Sequence, residues 1–319
     1  MIIKIPSKSL LFGEYGVLYG FTGIVVNSWT FYCEFDFQIV KDSNIIGIYS
    51  DYFSNNAIFL NKKKIITIAN YLKSNPSDQS FFKTITIDRN ELFFTYILIP
   101  YSEFLNDFSF NLYINKYFDK SLGFGSSSAI IACINLFFQK TMNLSETEVW
   151  KNIRYTMQLS QGKGSCYDVS VQFRNAVVDA DIPNTMQKIW RFKNTLPIPY
   201  LSQLNFHGDF GTILKTGVYS DTKKTLKNFD MNNPCNFNFA QKNSELAEKF
   251  VENPHNINNL IKQSFTLQQS HELTIKNVDL LFSNLNFKYL GSGKGDTIWT
   301  TTSELNKIQN QYVLYKIIL

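Results

Sequence analysis

A chain of 319 residues is long for one hydrophobic core and comfortable for two, so the expectation is a pair of lobes with a site between them. Its residues are 44% hydrophobic and 16% aromatic against 18% charged, a balance that argues against intrinsic disorder. The formal charge of +5 comes from scattered lysines whose densest runs, Lys62-Lys63-Lys64 and Lys223-Lys224, are short, so a solvated surface accounts for it better than a nucleic-acid footprint.

Residues 2 to 5 read as a short strand entering the segment Gly13-Glu14-Tyr15-Gly16, and Gly23 to Val26 resume extended structure. Trp29, Phe31, Cys33, Phe35, Phe37 and Ile39 then alternate with polar neighbours, which predicts a half-buried strand with these six on one face. Phe108 to Ile114 repeats the pattern, and the apolar run Ala129 to Phe138 begins a helix. Ser145 and Glu148 have the spacing of a capping box, so a helix from Glu146 to about Ser160 is expected, with Val149, Trp150, Ile153 and Met157 as its buried stripe. Prolines 183, 197 and 199 punctuate the next stretch, and a lobe boundary is placed near Pro183. Beyond it, Gly211 to Thr216 reads as a strand, Phe239 to Val251 and Ile257 to Leu273 as helices, and Phe287 to Leu290, Thr297 to Thr302 and Tyr312 to Leu319 as strands. Strands and helices mixed in this way imply α+β lobes.

Cys33, Cys133, Cys166 and Cys235 lie far apart, with no Cys-x-x-Cys pair, and His207, His255 and His271 have no metal spacing. Reduced thiols in a soluble cytoplasmic protein are the expectation, since no signal-peptide pattern precedes the first segment. The longest apolar run, after Ser128, is too short to span a bilayer and contains Asn135.

The stretch Ser121-Leu122-Gly123-Phe124-Gly125-Ser126-Ser127-Ser128-Ala129 follows a strand and opens a helix. Two glycines one residue apart let the backbone turn tightly, and the turn aims free N–H groups and the positive end of a helix dipole at one spot, which favours a phosphate. The three hydroxyls add donors and potential metal ligands without filling that space. A glycine turn before a serine-capped core helix explains the same residues with no ligand.

Three further segments accompany it: Pro6-Ser7-Lys8 running on to Gly13-Glu14-Tyr15-Gly16, then Gln161-Gly162-Lys163-Gly164-Ser165-Cys166-Tyr167-Asp168-Val169, then Tyr289-Leu290-Gly291-Ser292-Gly293-Lys294-Gly295-Asp296. In this order they resemble the signature segments of the GHMP kinases, the family of galactokinase, homoserine kinase, mevalonate kinase and phosphomevalonate kinase, nearly end to end. The resemblance implies an N-terminal lobe (1–183) like domain 2 of ribosomal protein S5, with a left-handed β-α-β connection, and a ferredoxin-like C-terminal lobe (184–319). It implies ATP and Mg²⁺, a small-molecule acceptor, no nucleic acid or membrane partner, and a monomer or homodimer.

By the same resemblance, Asp168 is the base or organises the acceptor, and Lys8 sits beside it. A buried cation there would keep the carboxylate ionised and lower the acceptor's pKa. Gly123, Phe124, Gly125, Ser126, Ser127 and Ser128 would cradle the nucleotide phosphates, with the Ser127 hydroxyl on Mg²⁺. Glu14, Ser165, Thr216, Gly217, Thr222, Gly291, Ser292 and Gly293 would line the acceptor side.

Four positions depart from the pattern: Ser7 and Cys166 stand where relatives have glycine, Lys294 likewise, and Met157 where mevalonate kinases place a metal-binding glutamate. The run from Gln161 to Val169 is most similar to the phosphomevalonate branch, whereas Gly13 to Gly20 also suits mevalonate kinase. A sugar or sugar-phosphate kinase, a decarboxylase of diphosphomevalonate and a non-catalytic ligand-binding relative remain as alternatives.

Overall fold

The computed structural model describes residues 1–51, 53, 56–75, 88–117, 122–162, 164–218, 229–290, 297–307 and 312–318. In the first half of the chain lie β1 (Ile2–Phe12), β2 (Gly23–Val40), β3 (Ile45–Tyr49), β4 (Ala57–Asn61), α1 (Lys62–Ser74), α2 (Arg89–Leu98), β5 (Ser109–Lys116), α3 (Ser126–Met142), α4 (Glu146–Gln161) and α5 (Tyr167–Asn175). There follow β6 (Val177–Val178), β7 (Gln187–Lys193), β8 (Tyr200–Leu204), β9 (Asp209–Lys215), α6 (Pro234–Glu252), α7 (Ile257–Gln269), α8 (Lys276–Leu281), β10 (Phe287–Tyr289), β11 (Thr297–Thr300) and β12 (Val313–Ile318).

Strands β4-β3-β5-β2-β1-β6 form one sheet, in which β7 also pairs with β2 and β8 with β7. The second sheet has the order β10-β11-β9-β12, with antiparallel neighbours throughout. Numbered within their own lobe these four strands lie 2-3-1-4, the order of a ferredoxin-like sheet. Strands β7 and β8 lie on the C-terminal side of Pro183 and complete the first sheet.

Strand β2 organises the first lobe because its two halves have different neighbours. Cys33 to Val40 pair with β5, and Gly23 to Ser28 pair with β7. Between the halves the register against β1 jumps from Pro6↔Tyr32 to Ser7↔Ser28. The three residues left over, 29 to 31, bulge and turn the strand, as an irregularity of this kind does. The six-residue apolar face expected for this strand is therefore split. Cys33, Phe35 and Phe37 join the first core, Phe31 packs against the core shared with the second lobe, and Ile39 is exposed.

Helix α3 closes the first core, and every residue from Ser128 to Phe138 is buried. A helix apolar on all sides has to be covered on all sides, and the sheet, α2, α4 and α5 do this. Its polar member, Asn135, accepts from the Tyr101 hydroxyl and donates to Ile131 O at 2.8 Å. The capping box at Ser145 and Glu148 is present, with Val149, Trp150, Ile153 and Met157 buried beneath α4. Helix α1 begins at the lysine run read as surface charge. Lys62 is in fact buried, and its ammonium donates to Phe108 O at 3.0 Å.

The lobes share a core of Leu11, Phe12, Ile24 and Ile189 from the first with Phe210, Phe250 and Trp299 from the second. Phe12 meets Trp299 edge-on with centroids 5.2 Å apart. Glu248 of α6 takes both Arg191 (2.7 Å) and the Thr22 hydroxyl (2.6 Å), stitching α6 to the first sheet. Among the described residues no helix is long and apolar enough to cross a membrane.

All four cysteines are free thiols, and only Cys235 among them is exposed. Burial pushes the Cys33 and Cys166 thiols up to about 12 and the Cys133 thiol well above its ordinary value. Since the thiolate is the nucleophile, iodoacetamide at neutral pH is expected to label Cys235 of the native protein and spare the other three, with all four labelled after denaturation. Peptide mass spectrometry checks this, and early labelling at Cys166 would contradict the packing around α5.

Candidate active site

The bulge in β2 has a consequence on β1. Below it Ile3 and Ile5 pack in the first core, whereas above it Leu10 packs with Val171 of α5, and Ser9 and Leu11 face the second lobe. Lys8 shares the Leu10 face, so its side chain runs beneath the start of α5. Ser7 lies at the step itself with backbone outside the left-handed region, and its hydroxyl donates to Ser28 O at 2.9 Å. No glycine is needed there.

Lys8 is 6% exposed. Its backbone N–H donates to Phe124 O at 3.3 Å, and its ammonium donates to the Tyr167 hydroxyl at 3.1 Å while lying 4.9 Å from the centroid of that ring. Gly125 crosses directly over the lysine stem. It has φ of +83°, and a Cβ there would come within 2.6 Å of Lys8 Cε and 2.7 Å of Ser128 Oγ. Only glycine suits both the backbone and the space.

Gly125 is the N-cap of α3, with no side chain capping the helix. The N–H groups of Ser126, Ser127 and Ser128 thus stand at a helix start where intrahelical acceptors are lacking. Ser127 is exposed and Ser126 half-buried. Ser128 is different: its hydroxyl donates to Gly125 O at 2.9 Å and to Gln172 Oε1 at 2.6 Å, so it braces the turn. The Phe124 ring is buried against Phe31 and Tyr315, which leaves only its backbone for a ligand.

Gln172, on α5, completes the brace. Its Nε2 donates to Pro6 O at 3.1 Å and to Gly125 O at 3.2 Å. One side chain therefore joins β1, the glycine turn and α5.

Helix α5 opens at Cys166, whose φ of 59° is left-handed and whose side chain makes no cap. A non-glycine residue in that conformation stores on the order of 1 kcal/mol, at a position where the resemblance places glycine. Asp168 lies in the first turn, with Oδ1 accepting from Val169 N at 2.9 Å. Ser165 is buried just before it. Two helix starts, α3 and α5, thus meet beside one lysine, an arrangement that attracts an anion. The Tyr167 phenol has its pKa raised, chiefly by burial and further by Asp168 and Glu14, while Lys8 opposes the shift.

Glu14 is buried and ion-paired with Lys288 of β10, itself fully buried. Lys288 also donates to Leu11 O and lies 5.0 Å from the Phe12 ring centroid. Burial pushes the Glu14 carboxyl up and the Lys288 ammonium down, and the attraction between them works against both shifts. Glu14 Oε2 is buried with no hydrogen-bond partner. This pair brings β10 to the first segment. Leu290 N donates to Thr297 O at 3.1 Å, closing the hairpin between β10 and β11. Gly291, Ser292, Gly293 and Lys294 lie outside the described residues, as do Thr222, Ser121 and Lys163. Thr216 and Gly217 follow Lys215, the strand partner of Thr297, so they adjoin the base of the same hairpin. The Thr216 hydroxyl accepts from Val218 N at 3.1 Å.

Lys8, Gly125, Ser126, Ser127 and Asp168 are thus gathered at one place, and Glu14 is within electrostatic reach of Tyr167. Among the described residues no cluster of three or more His, Cys, Asp or Glu could hold a metal, and Met157 is buried in the core. Sequence reasoning overlooked Tyr167, Gln172 and Lys288. Gln172 lies four residues after Asp168, a helical interval on a helix that had not been anticipated. Lys288 lies three residues before Gly291 and carries no sign of its burial.

No family model matches the chain, and no curated protein matches it. Solved structures do, over its whole length. Mevalonate kinase of Methanococcus jannaschii is 17% identical, with 100% of this chain and 98% of that one covered at a TM-score of 0.68. Galactokinase of Lactococcus lactis complexed with galactose is 12% identical, with 96% and 86% covered at 0.67. Phosphomevalonate kinase of Streptococcus pneumoniae is 14% identical, with 100% and 99% covered at 0.58. The protein has the two-lobed GHMP kinase fold. Among the described residues, β1, the glycine turn and α5 adjoin one another.

Two substitutions test the geometry. Gly125→Ala is expected to displace the Lys8 stem and weaken binding of ATP by about tenfold or more, or at least 1.4 kcal/mol, in isothermal titration. Lys288→Met leaves the Glu14 charge buried without its partner and is expected to cost about 3–5 kcal/mol in urea unfolding, most of it recovered in the double variant with Glu14→Gln.

Proposed function

We propose that the protein is an ATP-dependent small-molecule kinase, most like the phosphomevalonate or mevalonate branch of the GHMP kinases, that transfers the γ-phosphoryl group to an acceptor hydroxyl or phosphate. The observation that carries this reading is the convergence of Lys8, which donates to Tyr167 at the α5 start, with the Gly125 turn, which Gln172 further along α5 ties to β1. Phosphoryl transfer needs an anion held in line with an acceptor and its charge spread over cations and N–H dipoles. The uncapped start of α3 supplies the dipoles, and the glycine at 125 leaves the space a phosphate needs. The exposed Ser127 would hold Mg²⁺, an ion that takes few protein ligands and would neutralise phosphate charge there. Bound nucleotide supplies the phosphoryl group.

For a hydroxyl acceptor, Asp168 takes the proton as the oxygen bonds to phosphorus, and Lys8 faces the charge on the transferring group. For a phosphate acceptor no such proton is lost at neutral pH, and Asp168 orients the acceptor instead. On this reading Ser165, Thr216 and Gly217 would line the acceptor side, and Glu14, held by Lys288, would shape it from behind.

The test is release of ADP with mevalonate, phosphomevalonate, galactose, heptose 1-phosphate and homoserine in parallel. One acceptor is expected to stimulate turnover strongly, with mevalonate or phosphomevalonate foremost, and Asp168→Asn is expected to remove roughly 100-fold or more of a hydroxyl-acceptor rate without lowering the melting temperature. Turnover by Asp168→Asn at the wild-type rate would remove its role as base. Nucleotide binding without stimulation by any of the five would remove the proposed branch.

A further inference from the structure

We infer that the cavity between α1 and α4 is a second ligand site, for a small amphipathic anion that carries one acidic group on an apolar body. Its volume is about 410 Å³, within the range of roughly 300–1,000 Å³ usual for small-molecule pockets. None of the residues that line it belongs to the candidate active site. The inference therefore stands apart from the kinase reading.

One wall is apolar. Ala69 of α1 and Ile99 of the turn Ile99–Tyr101 belong to a small buried core with Ile68 and Leu72, and Tyr155 of α4 packs against it. The Tyr155 hydroxyl makes no hydrogen bond among the described residues, so it is available to a ligand. Burial alone raises the pKa of this phenol, which keeps it a neutral donor.

The rest of the lining is cationic. Lys151, Arg154, Tyr155 and Gln158 recur at helical spacing and share one face of α4. Like charges at Lys151 and Arg154 oppose helix formation, so α4 by itself does not account for them. Arg154 directs its hydrogen bonds to Asn194 Oδ1 at 2.9 Å, Thr195 O at 2.6 Å and Pro197 O at 3.3 Å. All three partners are neutral, so the guanidinium is fixed in place with its charge uncompensated. Lys151 has no ion pair among the described residues, since the Glu148 carboxylate that senses its charge is bound to Ser145 in the capping box. On the α1 side Lys73 pairs with Glu103 at 2.6 Å, and both are largely exposed, so this pair exchanges readily for another anion. An acidic group entering the cavity meets two uncompensated cations and a phenol. The apolar wall behind them gives an organic body an advantage over a bare inorganic ion.

Two probes test this: 8-anilinonaphthalene-1-sulfonate, charged at every working pH, and N-phenyl-1-naphthylamine, the same body without the charge. The full chain is expected to bind the sulfonate saturably, with a Kd below about 100 µM in fluorescence titration. Lys151→Glu alters an exposed side chain and is expected to weaken sulfonate binding about tenfold or more, with the uncharged probe held within about twofold and the melting temperature unchanged. The binding lost in that variant is expected to persist in the wild type at saturating ATP. A crystal structure of the complex is expected to place the sulfonate within about 4 Å of Lys151 Nζ. Absence of saturable sulfonate binding, equal weakening of both probes in Lys151→Glu, wild-type affinity in that variant, or a sulfonate seated at the glycine turn overturns the inference. Failure of ATP to bind would strike the kinase reading alone, and Lys151→Glu would still decide this site.

Discussion

The side-chain amide of Gln172 ties α5 to Pro6, 166 positions earlier in the chain, and to Gly125, 47 positions earlier. An amide is suited to this because it donates and accepts at once. Its nitrogen holds the Pro6 and Gly125 carbonyls, and its oxygen takes the Ser128 hydroxyl. Being 1% exposed, it has no water to fall back on. Any shift of the glycine turn away from β1 would strand these buried polar groups at a cost of about 1–3 kcal/mol each. The turn is therefore held in one shape by the protein's own contacts, and preorganisation of this kind is where electrostatic catalysis gains most.

A second constraint acts between the lobes. The apolar contact of Phe12 with Trp299 and Phe250 brings the sheets together without specifying their alignment. Polar contacts within it do so: Arg191 and Thr22 on Glu248, Gln187 on the backbone of β12, and the Glu14–Lys288 pair. A buried ion pair adds little net stability, but a misaligned one is costly, so it favours one register over others. Here it ties the strand leading into the third glycine segment to the turn that follows Lys8.

Left-handed backbone occurs at several turns of the chain, and some of it lies where the chemistry is proposed. Gly13, Gly123 and Gly125 are left-handed around the first segment and the turn, and Tyr15 and Cys166 adopt the same region without being glycine. Tyr15 is held there by stacking on Phe229 with centroids 4.3 Å apart, and Cys166 by burial under the first core. Stable packing on both sides sustains conformations that isolated peptides would abandon.

Much of this was legible in the residue order. The apolar run after Ser128, the capping box at Ser145 and the alternation of Phe110, Leu112 and Ile114 each follow from a local period, and the structure places a helix, a helix and a strand there. The glycine-bearing segments were likewise readable, because a tight turn before a helix needs particular residues at adjacent positions. Other features had no local signature. Whether Phe31 faces one core or the other depended on a register step against β1, and whether Lys62 or Lys288 was buried depended on a carbonyl or carboxylate supplied from elsewhere in the chain. By itself the sequence determined which elements form and where phosphate-binding turns can occur, since both depend on neighbours within a few residues. Only the tertiary structure decided that Gln172 would brace the turn and that Lys8 would meet Tyr167, because a side chain's partner across 47 to 166 positions is chosen by how sheets and helices pack.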